Sequence, residues 1–134
     1  MKEKLDSTSL EEFIYYRVKR SEETLAEADC LANSGHFSGA INRLYYACYY
    51  IVTALLIAND ISASTHNGVR AMFALKFIKS GKMDISHGKF FNEIFEIRHS
   101  NDYDDFVFCD LETFNNFRPR TEFLINAIKT QLNF

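Results

Sequence analysis

The chain has one proline and five glycines in 134 residues. Frequent turns are thereby excluded, and long helices with short connections are expected. Strand-like alternation is missing apart from Phe106-Val107-Phe108, which is too short to found a sheet. Cysteines are few. Cys30, Cys48 and Cys109 are odd in number and lack metal or redox spacing, so they are expected as reduced, partly buried thiols. There is no phosphate loop of the Walker type, no nucleophile elbow and no dinucleotide fingerprint. His36, His66, His87 and His99 show no metal-ligand pattern, so neither a metal nor a cofactor is expected. Met1-Lys2-Glu3-Lys4 leads into acidic and polar residues, not a signal-peptide core, and a cytoplasmic location is expected. The formal net charge of −3 does not attract nucleic acid unaided. Any RNA contact must use a local basic patch.

What is present is a single globular domain over 1–134, with 47% hydrophobic and 15% aromatic residues. The most informative stretch is Ala40-Ile41-Asn42-Arg43-Leu44-Tyr45-Tyr46-Ala47-Cys48-Tyr49-Tyr50. It opens an uncharged run from Leu44 to Ala58, which reads as the central helix of a bundle. The run is shorter than the ~18 apolar residues of a membrane span, so no membrane association is expected. A guanidinium and four phenols at the head of such a helix need partners. They form either a polar network that fixes the bundle or the wall of a site. Asn42, Arg43, Tyr46 and Tyr50 offer an aromatic and basic surface on which an RNA base could stack. The plainer alternative is a tyrosine-rich core with its hydroxyls satisfied at the bundle edge.

The pattern predicts five helices. Ser9-Leu10-Glu11-Glu12 reads as a capping box for the first, which ends near Asn33-Ser34-Gly35. The second runs from about Phe37 to Asn59. Thr65 caps the third, and Ser80-Gly81 stops it. The fourth begins near Ile85-Ser86 and breaks at Ser100-Asn101-Asp102, where small polar residues compete for backbone hydrogen bonds. Asp110 caps the fifth, in which Pro119 predicts a kink or two stacked pieces.

Arg98 follows Phe91, Ile94 and Phe95 on the apolar stripe of the fourth helix. A buried guanidinium requires a carboxylate or an anionic ligand. Asp102, four residues on, is the first candidate, and Asp104 and Asp105 follow Tyr103. The pair either ties the helix to the following loop or forms an anion site that grips phosphate.

Three segments in order resemble the small stand-alone bacterial branch of the HEPN superfamily. They are Gly35-His36-Phe37-Ser38-Gly39-Ala40 with Arg43-Leu44-Tyr45-Tyr46-Ala47, then Thr65-His66-Asn67-Gly68-Val69, then Arg98-His99-Ser100-Asn101-Asp102-Tyr103. The resemblance implies an all-α, five-helix, up-and-down bundle. It also implies a homodimer whose arginine motifs line one cleft. Many HEPN proteins are metal-independent ribonucleases, often toxins paired with a minimal nucleotidyltransferase. Their motif runs from an arginine through a polar residue and a short spacer to a histidine. Arg98 and His99 match the first two, but Tyr103, Asp104 and Asp105 stand where the histidine is expected.

Two functions follow. One is a non-catalytic or weakly catalytic module that binds RNA, a nucleotide or a nucleotidyltransferase partner, in a toxin–antitoxin setting. The other is a metal-independent ribonuclease toxin acting at a dimer cleft. There Arg98 would hold the phosphate, Asp102 would support it, and His99 or Tyr103 would move protons. The missing histidine and the acidic net charge favour the first.

Overall fold

The computed structural model describes residues 6–103 and 109–134. Five helices account for nearly all of them: α1 Ser7–Asn33, α2 Phe37–Ala58, α3 His66–Phe73, α4 Ile85–Tyr103 and α5 Leu111–Gln131. The fold is all-α. Helix α2 packs against each of the other four. Its residues Ile51 through Leu56 are buried without interruption.

The chain reverses tightly between α1 and α2. Gly35 adopts φ 79°, a left-handed conformation that suits a residue without Cβ. Residues about equally far on either side of that turn then face each other. Glu27 meets Arg43, Arg20 lies beside the Tyr50 ring, and the buried Ser21 hydroxyl donates to the Ala47 carbonyl at 2.7 Å. Helix α4 runs antiparallel to α2, with Arg98 at Tyr46 and Asn101 at Ser38. Helix α5 runs antiparallel to α4 and α1, through Phe90–Phe117 and Arg118–Asp29 contacts. The four long helices therefore alternate in direction, and short α3 lies against α2 and α4. A single π-type turn, Ala74–Ile78, extends α3 and is closed by Lys79 N–H donating to the Ala74 carbonyl at 2.8 Å.

Several expectations need correction. The first helix is capped by Asp6, whose carboxylate accepts the Ser9 amide at 2.7 Å. Ser9 and Glu12 are therefore inside the helix and form no capping box. Helix α4 does not break at Ser100-Asn101-Asp102 but continues through Tyr103. The polar side chains there bond across to other groups instead of to their own backbone: Asn101 donates to the Ser38 carbonyl at 3.0 Å, and Asp102 faces Arg98. Pro119 lies within one continuous α5, not between two pieces. Pro119 has no N–H to give the Asn115 carbonyl, and both residues are exposed, where water can serve that carbonyl. All three thiols are free, but Cys30 is exposed while Cys48 and Cys109 are buried. Helix α2, at 22 residues, is long and apolar enough to cross a membrane, unlike the shorter uncharged run within it. Most of its apolar surface is already buried against the other helices. The Phe106-Val107-Phe108 segment, with Asp104 and Asp105, lies outside the described residues.

Candidate nucleic-acid interface

Tyr46 is the centre of the site. Its position on α2 turns the ring toward α4, and two guanidinium groups flank it. Arg43 lies 5.0 Å and Arg98 5.2 Å from the ring centroid. Arg98 also donates through Nη2 to the Tyr46 hydroxyl at 3.1 Å. A polar chain runs outward from these groups. Arg98 Nε is 2.9 Å from Asp102 Oδ2, and Asn42 Nδ2 donates to the same oxygen at 3.2 Å. Asn42 Oδ1 accepts from Arg43 Nη2 at 2.9 Å, and Arg43 Nη1 lies 3.7 Å from Glu27. Glu27, Arg43, Asn42, Asp102, Arg98 and Tyr46 thus form one connected series.

The Arg98–Asp102 contact is close but poorly aimed. The distance is that of an ion pair, yet the buried Nε–H has no acceptor in hydrogen-bonding direction.

Beneath Arg98 lies an aromatic floor. Tyr45 is fully buried, with Phe91 stacked on it at 6.3 Å and Phe95 edge-on at 5.9 Å. Arg98 sits 5.3 Å from the Tyr45 ring. Burial drives the Tyr45 phenol far above its ordinary pKa, with Arg98 partly opposing the rise. Tyr45 is therefore protonated at neutral pH. Its hydroxyl lies 2.7 Å from His66 Nδ1. Burial first and then Arg98 hold the His66 imidazole below its ordinary pKa. A neutral ring accepting the Tyr45 proton at Nδ1 carries its own hydrogen on Nε2. His66 also stacks on Tyr49 at 4.4 Å.

The Thr65-His66-Asn67-Gly68-Val69 segment fixes this imidazole in place. Thr65 caps α3 by accepting the Gly68 amide at 2.9 Å. A Cβ on Gly68 would sit 2.9 Å from the same Thr65 oxygen, so glycine is what lets the cap close. The cap sets the first turn of α3, which carries His66 to the α2 tyrosines.

Of the residues expected from the sequence, Asn42, Arg43, Tyr46, Arg98 and Asp102 come together. Tyr50 adjoins them through Tyr46 at 6.0 Å and lies between Arg17 and Arg20, at 5.7 and 5.5 Å. His99 is exposed and stacks against Phe95 at 6.3 Å, on another face of α4 from the Arg98–Tyr46 contact. Tyr103 closes α4. His66 was legible only as part of a helix start, and Glu27 and Arg20 were not singled out. The turn at Gly35 is the signal that could have found the last two, because it sets them opposite Arg43 and Tyr50.

The fold and these features define a small helical domain with an arginine-and-tyrosine site between its second and fourth helices. The HEPN domain model matches residues 14–131, and the chain belongs to the HEPN domain family. A "UPF0332 protein" of Thermotoga maritima is 38% identical over 89% of this chain and 90% of its own length. A Methanocaldococcus jannaschii protein named "Putative toxin" is 30% identical over 86% of this chain and 78% of its own. A second protein of that name from the same organism is 30% identical over 70% of each chain.

Proposed function

We propose that this protein is an RNA-binding HEPN module of a toxin–antitoxin pair. It would act in the cytoplasm as a homodimer with a nucleotidyltransferase-type partner. The observation that carries the RNA reading is the Tyr46 ring flanked by Arg43 and Arg98. Alternating guanidinium groups and phenols is what a single strand requires, because bases stack on rings and phosphates meet cations. Asn42 adds an amide beside them that can pair with a base edge. Among the described residues the Arg98 guanidinium donates one hydrogen bond, through Nη2 to the Tyr46 hydroxyl, which leaves it donors for a phosphate oxygen. The two archaeal relatives named as toxins support the toxin–antitoxin setting.

The second reading is a metal-independent ribonuclease, and one observation favours it. His66 is an imidazole held below its ordinary pKa by burial and by nearby Arg98. In the tautomer whose Nδ1–H donates to the Tyr45 hydroxyl, Nε2 is free to take the proton of a ribose 2′-hydroxyl while Arg98 holds the adjacent phosphate.

Titrating a labelled single-stranded RNA into the protein separates the two. The binding module gives salt-sensitive association, lost about tenfold or more in Arg98→Ala, with the RNA intact over pH 6–9 in chelator. Cleavage abolished by His66→Ala would replace it with the nuclease. Absence of any association at low salt would remove both RNA readings.

A further inference from the structure

A cleft that shares Tyr49 with the His66 stack lies where α1, the end of α2 and the start of α3 meet. Its volume is about 320 Å³, and its walls include Phe13, Arg17, Tyr49, Leu56, Ile61 and Val69. We propose that this cleft binds a small carboxylate with an apolar body. Arg17 carries the argument. Arg20, Arg43, Arg70, Arg98, Arg118 and Arg120 each meet a carboxylate. Among the described residues, Arg17 meets none and makes no hydrogen bond; its Nε is buried without an acceptor. The guanidinium is held instead by two rings, Phe13 at 5.3 Å and Tyr50 at 5.7 Å. A cation placed in an apolar wall without a counter-charge is costly, and an anion entering the cleft offsets that cost.

The surroundings select the kind of anion. Ring and aliphatic side chains form most of the lining, which suits an aryl or alkyl body. One guanidinium neutralises a monoanion, and its planar edge matches a carboxylate in two parallel bonds. A phosphate dianion would keep excess charge against Leu56 and Val69. The cleft is also at the small end of ligand sites, too small to follow a nucleic-acid strand. The Nη nitrogens of Arg17 would take the carboxylate.

Titration calorimetry with 3-phenylpropionate, hexanoate, 3-phenylpropanol and inorganic phosphate tests this on the intact chain. Each acid is expected to bind with a Kd of about 1 mM, at least tenfold tighter than the alcohol or phosphate. Arg17→Met keeps the packing of the stem and should weaken the acids tenfold or more without changing the alcohol. In the unsubstituted protein the acids should move the amide resonances of Phe13, Tyr49 and Val69, which answers the question even if Arg17→Met fails to fold. Equal binding of acid and alcohol, a preference for phosphate, shifts confined to other residues, or no binding at about 10 mM would each overturn the proposal. Binding of RNA at the Arg98 surface is a separate readout that neither supports nor weakens it.

Discussion

Arg98 and Arg118 have the same side chain at similar depth and are bonded very differently. Arg118 joins α5 to α1 with a full set of partners. Its Nε and Nη2 donate to the two oxygens of Asp29 at 2.8 and 3.0 Å, and its Nη1 donates to Glu122 at 2.9 Å. Arg98 is the more buried of the two, 16% exposed against 24%. Yet among the described residues it has one well-formed hydrogen bond, to the Tyr46 hydroxyl, and a carboxylate placed off the direction of its N–H. A guanidinium that ties helices together is saturated by the fold. One that stays partly unsatisfied, over a rigid aromatic floor, has capacity left for a ligand. Bonding, more than burial, separates a structural arginine from a candidate binding one.

The contrast breaks most completely if the floor is removed. Phe91 is 1% exposed, stacks on Tyr45 and meets Phe73 edge-on at 5.6 Å. Phe91→Ala should destabilise the fold by about 3–5 kcal/mol, as for other buried phenylalanines. RNA association should weaken with it, since Tyr45 and Arg98 both lose support. Urea unfolding and RNA titration read the two effects. A variant that binds RNA normally despite the lost stability would show that the floor does not position Arg98.

Truncating the two arginines sharpens the contrast. Arg118→Ala should cost about 1–2 kcal/mol, because charged hydrogen bonds are lost but partly from solvent-screened groups. RNA association should be unchanged. Arg98→Ala should cost about 1 kcal/mol, well below the value for a fully buried pair, since Asp102 is 29% exposed and keeps Asn42. Its effect should fall on RNA binding instead. Equal losses of stability with equal losses of binding would erase the distinction.

The sequence made much of this legible. The uncharged run from Leu44 marked α2 as central, because only a helix covered on all sides can do without charge. The i, i+4 spacing of Arg98 and Asp102 announced their pairing. The angle between them was not legible, because it depends on side-chain rotamers set by Tyr45 and Tyr46. The end of α4 was misjudged because Asn101 and Asp102 find partners on α2, which no local pattern reveals. His66 was hidden for a similar reason. Its role comes from α3 lying across the α2 tyrosines, a tertiary fact. His99, adjacent to Arg98 in sequence, points to another face because neighbouring helical positions differ by about 100°.

The smallest effect concerns that imidazole, and it tests how far Arg98 reaches. His66 is held below its ordinary pKa of 6.5, by burial first and by Arg98 second. As pH falls below 6.5, the unfolded chain takes up the proton before the folded one. The unfolded state then binds more protons, so stability declines from about pH 6.5 down through the folded pKa. His87, also depressed by burial with Asp84 opposing, adds to the same slope. The two can be told apart by following each imidazole by NMR. In Arg98→Ala the His66 midpoint should rise part of the way toward 6.5, because burial, the larger cause, remains. His87 should not move, because it sits against the Phe123 ring and Asp84, and Arg98 is not among the charges that act on it. Arg118→Ala should move neither. A His66 midpoint unchanged by the loss of Arg98 would mean that burial alone sets it, and the neutral imidazole would then owe nothing to the arginine it stands beside.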